Sequence, residues 1–141
     1  MYLLDTNVVS ELRKVNIGRA DPRVVAWNAT VTPAQTFLSV ISVLELELGV
    51  LQIERRDSVQ GAALRLWLTE RVWPTFANRV IPIDMAVAQR CAQLHVPNPC
   101  ADRDALIAAT ALVHRLTVVT RNTEDFRATG VELINPWNTT S

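Results

Sequence analysis

Short apolar runs alternate with longer stretches of helical period along this chain. Tyr2-Leu3-Leu4 predicts a short buried strand, after which Thr6 or Asn7 caps a helix through about Arg13. A turn around Gly18 and Asp21-Pro22 leads into a short helix, Val24 to Ala29, with Pro22 suited to a first helical position. Thr36 to Leu38 predicts a second strand. From Ser42 to Glu54 the apolar positions are too dense for an exposed helix. Ser58 to Trp73 follows as another long helix, which Pro74 should stop. Val80 to Ile83, Thr117 to Thr120 and Val131 to Ile134 supply three more strands. Between them, Asp84 caps a helix to about Leu94. Asp102 caps an alanine-rich one to His114, after a Pro97-Asn98-Pro99 loop. Strands alternating with helices predict an α/β sandwich with a mostly parallel sheet of about five short strands flanked by helices.

Four acids interrupt this pattern at strand ends or helix starts. Asp5 follows the first strand, Glu45 and Asp104 fall near helix N-termini, and Asp125 lies in the loop after the fourth strand. In open α/β sheets ligands bind beyond the carboxyl ends of the strands, so all four can line one rim. Each has a structural alternative. Asp5 can end a strand or cap a helix. Ser42-x-x-Glu45 matches a capping box, yet Glu45 shares a helix face with Ile41 and Leu48, and Glu47 competes for its role. Asp104 suits the helix dipole of a first turn, and Asn122 and Glu124 neighbour Asp125. Carboxylates gathered in apolar surroundings need a cation, and oxygen-only ligands favour magnesium or manganese. That chemistry suits metal-assisted attack on phosphate.

With 141 residues the chain predicts one domain, residues 1–141, able to bury its own core. Net charge is zero, so no global basic field marks it for nucleic acid. Lys14 is its one lysine; every other basic side chain is arginine or histidine. Cys91 and Cys100 form no CxxC pair, and no disulfide framework is expected. No run resembles a signal peptide or a membrane span. A cytoplasmic protein is expected, and the Asn28-Ala29-Thr30 and Asn138-Thr139-Thr140 sequons carry no weight.

At these residues the chain resembles PIN-domain ribonucleases, specifically VapC-type toxins of type II toxin–antitoxin pairs in their FitB-like branch. The matching blocks are Leu3-Leu4-Asp5-Thr6-Asn7, Ser39 to Val50, Asp104 to Ala111, and Thr120 to Phe126 followed by Asn135-Pro136-Trp137. The stretch His95 to Ala101 departs from relatives that carry a more basic, glycine-containing loop.

The resemblance implies a three-layer PIN-like sandwich and an RNA-cleaving enzyme. It implies Asp5 and Asp104 as direct magnesium ligands, with Glu45 (not Glu47) and Asp125 completing the acidic pocket. It further implies a homodimer and a small antitoxin whose C-terminal segment lies over the groove. Thr6, Asn7, Ser42 and Asn122 are candidates to orient the acids. Arg13, Lys14 and Arg121, with Arg19, Arg103 and Arg127 nearby, are candidates for backbone phosphates of a tRNA, rRNA or mRNA substrate. Rival readings are a catalytically inactive PIN-like module that binds RNA or a partner, and a phosphoacceptor receiver domain. The receiver needs a lysine after a late strand, where Lys14 does not lie.

Overall fold

The central strand β1 (Tyr2–Leu4) explains most of the architecture. Its side chains alternate across the sheet, so Leu3 and Leu4 feed opposite cores, and both are buried. β1 pairs in parallel with β2 (Thr36–Ser39) on one side and β4 (Thr117–Val119) on the other. β3 (Val80–Ile81) and β5 (Leu133–Ile134) complete the sheet in the order β3-β2-β1-β4-β5, all parallel. This computed structural model describes residues 1–138; the two threonines of the second sequon lie outside them.

Helices cover both faces, as a parallel sheet requires. On the Leu4 face lie α1 (Thr6–Arg13), α2 (Pro22–Ala29), α3 (Val40–Arg56) and α4 (Ser58–Trp67). Val8, Val24, Leu38, Leu46, Leu68 and Val119 join Leu4 in that core, with Trp67 and Trp73 packed at its margin. On the Leu3 face lies α7 (Asp102–His114), with Ile107, Ala108 and Ala111 against Val118 and Phe126. α6 (Met85–Leu94) packs outside α7 through Val87 and Cys91 on Ala105 and Ala109. α7 is thus covered on two sides, which explains its alanines: small side chains let sheet and helix approach from both.

Several boundaries differ from the sequence reading, each for a local reason. Asp5, not Thr6 or Asn7, caps α1: its carboxylate accepts the Thr6 N–H. Ala101 precedes α7, so Asp102 is its first helical residue and not its cap. The Ser42-x-x-Glu45 box does not form. α3 leaves β2 without a loop, Ser39 is the cap through the Ile41 N–H, and Ser42 lies inside the helix. Nor does Pro74 end the long middle helix. After Trp67 the chain widens into a π-turn, Leu68–Val72, then runs on as α5 (Trp73–Thr75). Widening lets the proline, which lacks an N–H, sit within a helical path. Finally, Asp125 lies not in a loop but in the first turn of a short helix, α8 (Thr123–Arg127).

Candidate active site

The C-terminal ends of β1, β2 and β4 open onto one edge of the sheet. Asp5 continues β1 there, its backbone N–H bonded to the Val119 carbonyl at 2.9 Å. Asp5 is 6% exposed, and its carboxylate is doubly held. Oδ1 accepts the Thr6 N–H at 2.8 Å, and Oδ2 accepts the Thr120 hydroxyl at 2.7 Å. Asn7 knits this corner together: its Nδ2 reaches Asp5 Oδ2 and Thr120 Oγ1, each at 3.4 Å, and its Oδ1 accepts the Arg121 N–H at 3.3 Å.

Glu45 projects from α3 to the same edge, where its Oε1 accepts the Thr6 hydroxyl at 2.7 Å. Glu47, two residues further along the helix, turns away to Arg65 at 2.7 Å. Asp104 enters from the first turn of α7. Together Asp5, Glu45 and Asp104 line a pocket of about 410 Å³, with Thr6, Asn7 and Asn122 beside them and Lys14, Arg121 and Trp137 at its margin. Asp125 is not among the lining residues, but its negative charge acts on both aspartates.

The electrostatics follow from this crowding. Burial raises the Asp5 pKa against the opposing hydrogen bonds from Thr120 and Thr6, and Glu45 and Asp125 push it the same way. Asp104 is pushed up to about 6, first by burial, then by Asp5, Asp125 and Glu45. Among the described residues the one basic group paired with Asp5, Glu45 or Asp104 is Arg103, whose Nη1 stands 3.7 Å from Glu45 Oε2 and whose side chain is half exposed. Lys14 is tied at 3.0 Å to Glu11. Burial works against the Glu11 charge, but the Asp21 N–H and the Lys14 ammonium overcome it and hold that carboxyl below its usual range.

Among the described residues no group of three or more Asp, Glu, His or Cys side chains is placed so that it could hold a metal ion by itself. Asp5 and Glu45 hold to their own donors, and the pocket stays open between the acids. Oxygen-only donors, mutual repulsion and raised carboxyl pKa values suit a hard divalent cation whose remaining positions are filled by water.

Other sequence candidates lie elsewhere. Ser42 is fully buried, and among the described residues its hydroxyl has no hydrogen-bond partner, so it is not seen to orient any acid. Arg13 faces a different cavity, an apolar groove of about 440 Å³ between α1, α2 and the π-turn. Arg127 pairs with Glu124, and Arg19 is exposed and lines neither cavity. His95 accepts the Cys100 N–H through Nδ1, its Nε2 stands 3.6 Å from Asp102 Oδ1, and it does not line the acidic pocket. Two residues escaped the sequence reading, Thr120 and Trp137. The signal for Thr120 was present: a buried threonine ending the strand beside the one that carries Asp5.

A PIN domain is matched over residues 2–132. The chain belongs to the PIN-domain family. Toxin FitB of Neisseria gonorrhoeae is 38% identical over 143 residues, covering 98% of this chain and 99% of that protein. VapC ribonuclease Y4jK of Sinorhizobium fredii is 37% identical, covering 97% and 98%. Among solved structures, FitAcB from Neisseria gonorrhoeae superposes with a TM-score of 0.89 at 38% identity, over 99% of this chain and all of that one. These likenesses place the chain among the VapC and FitB toxin ribonucleases of the family. The sheet order also excludes the receiver reading, since receivers of the flavodoxin-like type run 2-1-3-4-5. Among the described residues no helix is long and apolar enough to cross a membrane.

Proposed function

We propose that this chain is a single-domain, divalent-metal-dependent endoribonuclease, residues 1–141, acting as the toxin of a type II toxin–antitoxin pair. One observation carries the reading. Asp5, Glu45 and Asp104, drawn from β1, α3 and α7, line one pocket in which the aspartates hold their protons above the usual carboxylate range. Acids placed so cost stability without a cation.

Asp5 and Asp104 hold magnesium, or manganese in its place. When bound, that ion supplies positive charge to a phosphate oxygen and lowers the pKa of water. The chain's own groups do the rest. Thr120, Thr6 and Asn7 fix the Asp5 carboxylate by hydrogen bonds to its two oxygens. Thr6 also holds one Glu45 oxygen, and Oε2, with Arg103 3.7 Å away, would orient or deprotonate the attacking water. Asp125, whose charge acts on both aspartates, would bind through water or hold a second ion. Water oxygen bonds to phosphorus, the bond from phosphorus to the 3′ oxygen breaks, and that oxygen takes a proton. The products are a 5′-phosphate and a 3′-hydroxyl, with no role for the RNA 2′-hydroxyl as nucleophile.

The substrate is a tRNA, rRNA or mRNA, and Lys14 and Arg121 at the pocket margin are its candidate phosphate contacts. The partners are a cognate antitoxin and a second copy of the chain, and the setting is the cytoplasm. Related structures support the antitoxin: FitAB has been solved on a DNA fragment, at 36% identity and a TM-score of 0.89.

Incubating the purified chain with tRNA, rRNA fragments and single-stranded DNA, in magnesium or in EDTA, tests the assignment. RNA cleavage in magnesium with 5′-phosphate ends is expected, lost in EDTA and in folded Asp5→Asn and Asp104→Asn. Cleavage indifferent to EDTA, or undiminished in both variants, would contradict it; no cleavage of any substrate would favour an inactive binding module.

A further inference from the structure

The cations around the acidic pocket are not equivalent. Lys14 is spent on Glu11 at 3.0 Å, and Arg103 leans on Glu45 at 3.7 Å. Arg121 also lines the pocket, yet among the described residues no carboxylate pairs with its guanidinium. Its partner is aromatic: the guanidinium carbon stands over the Trp137 ring, 5.3 Å from the centroid. Trp137 itself is 5% exposed and belongs to the core on the Leu4 face. An exposed arginine is here held by a buried ring.

The backbone of Arg121 is held as firmly. Its N–H donates to Asn7 Oδ1, and its carbonyl accepts Asn135 Nδ2 at 3.5 Å. Asn135 Oδ1 in turn accepts the Trp137 N–H at 3.0 Å. Asn7 and Thr120, on the near side, both bond to Asp5. One network therefore ties the position of the arginine to the position of the carboxylate. A guanidinium over an aromatic face keeps its N–H edge available for two-point binding of phosphate.

We infer that Arg121 is the fixed phosphate ligand at the mouth of the pocket, and that Trp137 is the residue that positions it. The inference rests on the reading of the pocket as an RNA-cleaving site. The ligand is the backbone phosphate of single-stranded RNA next to the cleaved one, bound without regard to base. Lys14 and Arg103 contribute to the surrounding field but stay committed to their glutamates.

The test is a cycle of variants on the full chain: Arg121→Ala, Arg121→Lys, Trp137→Phe, Trp137→Leu and the double variant Arg121→Ala with Trp137→Leu. A labelled single-stranded oligoribonucleotide reports affinity by anisotropy across a salt series, and cleavage reports KM and kcat separately. Arg121→Ala should weaken RNA about ten- to a hundredfold, mostly in KM, and lower the salt slope by about one released counterion. Arg121→Lys should recover the slope but only part of the affinity. Trp137→Leu should weaken RNA about two- to fivefold, an effect absent when Arg121 is already alanine; Trp137→Phe should restore most of it. An unchanged KM and salt slope in Arg121→Ala would overturn the inference. A Trp137→Leu loss that persists in the double variant would overturn the positioning role. If the wild type binds and cleaves RNA while Arg121→Ala matches it, the inference alone fails. If the wild type does neither, the nuclease reading fails first and takes the inference with it.

Discussion

Helix α3 carries glutamates with opposite fates, and the contrast separates structural acid from functional acid. On one side Glu47 and Glu54 share Arg65, at 2.7 and 3.2 Å, in a cluster that joins α3 to α4. Each carboxylate there has a cation, and the pairing raises the Arg65 pKa. On the other side Glu45 lines a pocket with Asp5 and Asp104, and among the described residues the one ion pair made to any of these three acids is that of Arg103 with Glu45, at 3.7 Å. The first cluster satisfies itself. The second is left short of positive charge, and the aspartates respond by holding their protons. Acidity alone marks neither as a site; the missing counter-charge does.

The sharpest way to break the comparison is to neutralise one acid on each side. Asp104→Asn should lower RNA cleavage on the order of 10³-fold, the several kcal/mol that metal-assisted charge stabilisation supplies. Glu47→Gln should leave cleavage within about twofold and cost roughly 0.2–1 kcal/mol of stability, as a partly exposed ion pair does. Equal losses of activity would erase the distinction.

Packing at the paired cluster is the next target. A Cβ on Gly61 would fall 2.5 Å from the Glu54 Cα, so α3 and α4 approach too closely for any side chain there. Gly61→Ala should cost about 1–3 kcal/mol in chemical denaturation without changing the metal requirement of cleavage. No loss of stability would mean the two helices are not packed this way.

A smaller effect probes the hydroxyl that holds Asp5. Thr120→Val keeps the shape but removes the donor to Oδ2. Cleavage should fall about 10–100-fold, the usual consequence of losing a group that orients a ligand. Metal titration should show weaker binding with the same end point. Unchanged metal affinity would leave Thr120 a purely structural residue.

The smallest effect is on stability against pH. The Asp104 carboxyl is pushed up to about 6 when folded, above its value of 3.8 in the unfolded chain. The folded state therefore binds that proton more tightly, and losing it costs folding free energy. The cost is absent below about pH 4 and complete above about pH 7. After discount for solvent screening of a half-exposed group it amounts to about 1 kcal/mol. In EDTA, Asp104→Asn should be the more stable protein at pH 8, with the gap closing toward pH 4. A gap that widened on acidification would have the wrong sign.

How much of this was legible in the sequence depended on range. Asp5 stood out because a strand ends and a helix begins around it, and both signals are local. The alanines of α7 pointed to a slim helix packed tightly against the sheet, while its cover by α6 came only with the structure. Ser42 misled because Ser39 offers a second cap three residues earlier, and a strand that runs into a helix without a loop leaves no mark to choose between them. The π-turn at Leu68–Val72 has no signature of its own beyond the proline it accommodates. Thr120 and Trp137 stayed hidden because their work lies in pairings across the chain: Thr120 with Asp5 over 115 residues, Trp137 through the Arg121 side chain. Arg13 and Arg121 looked alike as rim arginines, yet one helix turn sends the first to the apolar groove.

Thermal melting of the metal-free chain at pH 8, titrated with magnesium or manganese, tests most directly whether this pocket is built for a divalent cation. The wild type should gain stability progressively as the ion binds the folded state, while Asp104→Asn starts higher and barely responds. A wild-type melting temperature indifferent to both metals, or a response identical in Asp104→Asn, would contradict the account.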